Sequence, residues 1–239
     1  MTYVSLARGL KEHLGLEHEP VALAGADRYS HMVGARTRPP TSACSLWREA
    51  ETEMFFAAAE AHGGCSVGAY VMGLPMSPAI QDGLAGALGM MAQASYLSEQ
   101  EVGSIPRIGT ESAGVVYGPL KDFAVEPDCV IVWVSPAQAM LLNEALGTAQ
   151  WNQQKDAGLK LLGRPACGAV AHTCNTNGAS LSLGCSGMRL FTEIEPNLSL
   201  LVIPGSALAG LLQRLEQTAQ SNNQMLVEYR QKKSAMAAV

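Results

Sequence analysis

Cys129-Val130-Ile131-Val132-Trp133-Val134, bounded by Asp128 and Ser135 and followed at once by Pro136, is the stretch on which the fold turns. Six consecutive apolar residues, four of them β-branched, read as a strand buried on both faces, because a half-exposed strand would alternate with polar residues. Ser135 before Pro136 is a helix start: a hydroxyl cap, then a proline at a position whose N–H has no intrahelical partner anyway. Strand passes directly into helix, and the helix is predicted to run through about Leu146.

The same grammar extends outward. Val4 to Leu14 has apolar spacing for a short amphipathic helix stopped by Gly15, and Pro20 to Ala24 reads as a strand. Asp27 to Pro40 is polar and basic, a loop. A helix is expected from about Cys44 to His62, ended by Gly63-Gly64, with Cys65 to Val71 as a strand or extended loop. Ser77-Pro78 opens a helix to about Tyr96. Ala113 to Tyr117, Leu181 to Cys185 and Leu198 to Ile203 read as strands, and Gly163 to Thr173 as helical after Pro165. Ser206 to Ala235 is a long terminal helix whose stripe is Leu208, Leu211, Leu212, Leu215 and Met225. Together these give a mixed α/β (α+β) fold, a mixed sheet with flanking helices. No G-x-G-x-x-G follows a strand, so the pattern is not a Rossmann one.

Composition narrows the function classes. The 239 residues are 48% apolar and 15% charged with net charge −5, which favours a collapsed core over disorder. Sixteen scattered Lys and Arg form no basic stripe, so nucleic acid is not an expected partner. No segment has the roughly 18 apolar residues of a membrane helix, and Met1 to Gly15 lacks the pattern of a signal peptide, so a cytoplasmic protein is expected. The apolar stripe of the terminal helix must pack somewhere, within the fold or in a homo-oligomer.

The six cysteines carry the functional reading. In a reducing compartment Cys44, Cys65, Cys129, Cys167, Cys174 and Cys185 are thiols, metal ligands or reactive groups. No C-x-x-C pair occurs, so any shared site is assembled from distant segments. Cys65 and Cys185 each sit beside glycines, which let backbone N–H groups approach sulfur, and Cys44 and Cys167 lie near predicted helix starts. Cys129, inside the apolar strand, reads as structural. The halves echo each other: Cys44, helix, Gly64-Cys65-Ser66 in the first; Cys167, helix, Gly184-Cys185-Ser186 in the second. A duplicated strand–helix–strand unit would bring the pairs towards one centre. The chain 1–239 is then one domain or two fused lobes, about 1–110 and 111–239.

Other residues compete for roles. His62 and His172 lie near cysteines and offer a base for a cysteine nucleophile, against a bland capping or surface reading. Arg38, Arg48, Arg164 and Arg189 neighbour cysteines and can stabilise thiolates or clamp an anionic substrate. Glu49, Glu51 and Glu53 read as one solvated helix face.

Three blocks resemble the domain of unknown function 169 family, also called ArCR. They are Cys44 to Ala50 with His62 to Ala69 and Gly73-Leu74; Gly118-Pro119-Leu120 with Glu126 to Val132 and Pro136 to Met140; and Leu181 to Arg189 preceded by Cys167. The resemblance implies no settled activity. Cys129 falls where the pattern usually has Val, and Cys174 lies outside it, which favours Cys167 as the fourth member of the cysteine set. Gln138, in the first turn of a helix at the carboxyl end of a strand, is placed to bond substrate or to cap. The leading expectation is an Fe–S cluster protein acting on a small molecule, with Cys44, Cys65, Cys167 and Cys185 as ligands and Arg189, His62 and Gln138 as candidate catalytic groups. Zinc is the variant metal. A metal-free binding or redox-sensing module and a cysteine-nucleophile enzyme are the alternatives.

Overall fold

Strand β4 (Cys129–Val134) lies at the middle of the sheet and is fully buried. The computed structural model describes residues 2–25, 30–147 and 159–237. Seven strands are hydrogen-bonded in the order β2 (Phe55–Ala58), β3 (Gly114–Pro119), β1 (Val21–Gly25), β4, β7 (Ser199–Pro204), β6 (Ser180–Ser182), β5 (Lys160–Leu162). The sheet is mixed: β5 pairs parallel with β6, and every other pair is antiparallel.

Strand periodicity divides the core in two, because successive side chains point to opposite faces. Leu23, Tyr117, Ile131, Trp133, Leu200 and Val202 face one way. That layer is covered by α2 (Ala43–Glu49), α3 (Ser66–Val71), α4 (Pro78–Gln93), α7 (Gly168–Thr176) and α8 (Ser186–Thr192), with the short α5 (Glu99–Val102) beyond. Ala22, Val116, Val130, Val132, Leu201 and Ile203 face the other way, under α1 (Tyr3–Leu14), α6 (Pro136–Ala145) and the start of α9 (Leu211–Ala237). The continuous apolar run of β4 is thus explained by helices on both sides.

Outward from the β1–β4 seam the strands run β1-β3-β2 on one side and β4-β7-β6-β5 on the other, so the first three of each side share one connectivity and β5 has no counterpart among the described residues. Because β1 and β4 are antiparallel, a two-fold rotation about an axis through the sheet relates β1 to β4, β3 to β7 and β2 to β6. On one face the correspondence extends to α2 with α7 and α3 with α8. The echoed unit is helix, strand, cysteine, helix, not the strand–helix–strand expected from the spacing.

Four local expectations are corrected. The helix expected over Cys44 to His62 stops at Glu49, and Phe55–Ala58 forms β2. Tertiary pairing overrides the helix-forming composition: β2 adds to β3 in antiparallel register, with the Phe55 and Tyr117 rings 5.7 Å apart. Carboxylates at 49, 51 and 53 would also oppose the dipole at the helix end. Cys65 to Val71 is helical, not extended: Cys65 caps α3, and a short apolar run does not distinguish strand from helix by period. Glu49, Glu51 and Glu53 are not simply solvated. Arg36 grips Glu49 at 2.8 Å, Arg38 reaches Glu49 and Glu53, and Arg48 with His18 holds Glu51. In α9, Leu211 and Leu215 are buried, but Met225 is 43% exposed, so the expected stripe packs only at its start. Among the described residues no helix is long and apolar enough to cross a membrane.

His62 is the one histidine among the described residues buried in this core. Its Nδ1–H donates to the Ala58 carbonyl at 2.9 Å, which leaves Nε2 to accept from the Tyr117 hydroxyl at 2.9 Å. Burial pushes its pKa down to about 4. The unfolded chain therefore binds a proton between pH 6.5 and 4 that the folded chain does not. This contribution is complete above pH 6.5 and is lost as pH falls to about 4, a change of about 3 kcal/mol. Urea unfolding of wild type and His62→Gln across that window is expected to show a shallower fall in the variant; parallel curves would contradict it.

Candidate functional site

Four of the six thiols are delivered by the ends of short elements on one face of the sheet. Cys44 is the second residue of α2, whose N-cap Ser42 accepts from Ser45 N at 3.1 Å and places its hydroxyl 3.1 Å from Cys44 Sγ. Cys65 caps α3, its Sγ accepting from Gly68 N at 3.4 Å. Cys185 caps α8 in the same way, accepting from Met188 N at 3.4 Å. Cys167 directly precedes α7 and is buried. Gly184, at φ +96°, supplies the left-handed turn that brings Cys185 to its cap.

All four thiols line one cavity of about 450 Å³. The rest of its wall is predominantly apolar and aromatic, including Trp47, Met90, Met91, Leu97, Ile105 and Phe191. No histidine, aspartate or glutamate is in this wall among the described residues, and Arg164 is its charged group. The guanidinium of Arg164 lies 3.9 Å from the centre of the Tyr96 ring, a stacked position at the cavity edge. Trp47, fully buried on α2, has an indole N–H without a hydrogen-bond partner among the described residues.

The electrostatics follow from crowding sulfur in an apolar place. Burial pushes the Cys44 thiol up to about 11, only partly offset by the Ser42 hydroxyl, and the Cys65 and Cys185 sulfurs raise it further. Burial likewise raises Cys65, with Cys185 adding to it, and raises Cys167, with Cys65, Cys185 and Cys44 adding. Each thiolate would make its neighbours harder to ionise. Without a compensating cation Cys44, Cys65 and Cys167 rest as thiols. Among the described residues no three His, Cys, Asp or Glu side chains are gathered around a point where one ion could bind.

The remaining sequence candidates lie elsewhere. Arg189 donates to the carbonyls of Leu183 and Glu195, at 2.6 and 3.1 Å, and so ties the loops around α8. His62 is held by Ala58 and Tyr117, outside the cavity wall. Gln138 accepts from Ser135 N at 2.7 Å and donates to Leu14 and Gly15 carbonyls, joining the start of α6 to the end of α1 across the other layer. Cys129 is buried in the sheet, and its neighbour Cys174 opens onto a different cavity. Sequence reasoning missed Trp47 and Tyr96. Trp47 had a signal, since it follows Cys44 at helical spacing; Tyr96 had none.

Gly64 sets the approach of the first two thiols. Its N–H donates to the Thr41 carbonyl at 3.1 Å, and a Cβ there would stand 2.6 Å from the Thr41 carbonyl carbon. Gly64→Ala must push the Cys65 segment off the start of α2, and is expected to destabilise by about 1–3 kcal/mol in denaturant unfolding. Unchanged stability would show that this contact is not tight.

Comparison with known proteins places these residues in a family without an assigned activity. The chain is 27% identical over 157 residues to an uncharacterized protein of Methanocaldococcus jannaschii, MJ0308, a match covering 64% of this chain and 66% of that one. No solved structure gives a significant match. The model of the domain of unknown function 169 family, described as uncharacterised ArCR, matches residues 9–214, a span that contains all four cavity thiols. The chain therefore belongs to the domain of unknown function 169 family.

Proposed function

We propose that the protein is an Fe–S cluster-dependent enzyme or redox protein acting on a small molecule, with Cys44, Cys65, Cys167 and Cys185 holding the cluster. The observation that carries the reading is the convergence of four thiols from four remote segments on one cavity whose wall has no carboxylate or imidazole among the described residues. Thiols gathered in an apolar wall raise one another's pKa and gain nothing from ionising alone. A cationic cluster reverses that sign, because coordinated sulfur is deprotonated outright.

Further details fit the group. The N–H groups of Gly68 and Met188 already donate to Cys65 and Cys185 sulfur, the kind of bond that tunes cluster potential.

Held by all four thiolates, such a cluster would supply one-electron transfer; held by three, it would also offer a Lewis acid at the iron left without one. The chain's own residues then shape the cavity: Met90, Met91, Leu97, Ile105 and Phe191 give it an apolar wall, and Arg164 on Tyr96 is the cation available to an anionic substrate. A metal-free binding module is the second reading, favoured by that same apolar wall. The nucleophile alternative has less support, as no base lines the cavity among the described residues.

Anaerobic purification and reconstitution, with iron, acid-labile sulfide and zinc quantified, separates these readings. Bound iron and sulfide with visible charge-transfer absorption is expected, falling at least several-fold in Cys44→Ser and Cys65→Ser. Colourless protein without iron after reconstitution would overturn the proposal; zinc in place of iron would overturn the cluster.

A further inference from the structure

The two cysteines outside the four-thiol cavity meet each other. Cys174, in the last turn of α7, places its Sγ 4.0 Å from Cys129 Sγ at the start of β4. Cys174 lines a second cavity of about 600 Å³, whereas Cys129 is sealed behind it at 0% exposure. From this juxtaposition we infer a second reactive site: a dithiol that exchanges with a small disulfide to form a Cys129–Cys174 disulfide. It stands independently of the cluster reading, since neither sulfur lines the first cavity.

The pair is held in place from both sides. Thr173 Oγ1 lies 2.8 Å from Ser180 Oγ on β6, and the Asn175 side chain accepts from Gly109 N at 2.9 Å and donates to the Arg107 carbonyl at 2.8 Å. Cys129 is fixed in the sheet by partners on both flanks, Leu23 of β1 and Pro204 of β7. Bond formation requires the sulfurs to close by about 2 Å, to the ordinary S–S length of ~2.05 Å. The order of events follows from access. Contact with Cys174 and burial both push the Cys129 thiol up, so Cys129 is not the group that starts the exchange.

In the first step the Cys174 thiol gives its proton to solvent. Its sulfur attacks one sulfur of the incoming disulfide, whose S–S bond breaks and releases one thiol, protonated by solvent. In the second step Cys129, losing its proton, attacks Cys174 Sγ and expels the second thiol. Two cysteine thiols are oxidised to one disulfide, and one small disulfide is reduced to two thiols. The described wall around Cys174 carries the carboxylate of Glu126, and the disulfide class proposed is one bearing amino groups.

The test uses cystamine as that disulfide. Protein is incubated anaerobically with cystamine and alkylated, and its linkages are mapped by peptide fragmentation. The wild type is expected to end with a Cys129–Cys174 disulfide and no retained cysteamine. Cys129→Val, which fits a buried strand, is expected to keep one cysteamine on Cys174, and Cys174→Ser to leave Cys129 reduced. Wild-type protein that keeps cysteamine on Cys174 with Cys129 reduced, or in which either sulfur pairs with another cysteine, would overturn the inference. The wild-type map decides the matter even if a variant fails to fold, and it is unaffected by whether the first cavity binds iron.

Discussion

The pairing of β1 with β4 is the constraint from which the rest of the structure follows. Val21, Ala22 and Leu23 align with Ile131, Val130 and Cys129 in antiparallel register, joining the two halves of the sheet into one. A single seam of this kind fixes the two-fold relation between the halves. Each half then places two cysteines on the same face: one at a helix start after an alanine (Ala43-Cys44, Ala166-Cys167), and one capping a helix between glycine and serine (Gly64-Cys65-Ser66, Gly184-Cys185-Ser186). Two pairs brought about one axis become a set of four. No single segment contains the site; the sheet makes it.

The two faces of the sheet divide the labour. The layer under α1, α6 and the start of α9 is aliphatic and closed by backbone-directed bonds, of which those made by Gln138 are typical. The other layer holds the thiols, the buried tryptophans and the apolar cavity. Polar groups on that side are kept neutral by their surroundings: His62 bonds to a carbonyl and a hydroxyl, and the Cys44, Cys65 and Cys167 thiols are pushed away from ionisation by burial. Buried thiols in a predominantly apolar wall are the kind of donors that ionise when an occupant brings positive charge.

Much of this was legible where local chemistry and tertiary context agree. β4 and the Ser135-Pro136 helix start stand where the apolar run and the cap put them, because a doubly buried strand and a proline at the first turn each leave a sequence pattern that neighbours do not alter. Strand β2 was not legible: it follows a helix-forming stretch without a break signal, and pairing with β3 on one side and with Gly34 and Arg36 on the other makes it extended. The helix after Cys65 was hidden because cysteine is not a customary N-cap. The echo of the two halves pointed to the four cysteines that line one cavity, although its order of elements differs in the fold. The roles of Arg189 and Gln138 were obscured for a different reason. Polar side chains near a motif bond backbone carbonyls as readily as ligands, and only three-dimensional contacts separate the two.

The central claim is that four sulfurs from two related halves serve one centre. Iron K-edge X-ray absorption of the anaerobically reconstituted protein tests it most directly. A first shell made of sulfur, with an iron–iron path, disrupted when a cysteine is replaced in either half (Cys65→Ser or Cys185→Ser), is the predicted result. A nitrogen and oxygen shell without iron–iron scattering, or a spectrum indifferent to both replacements, would contradict it.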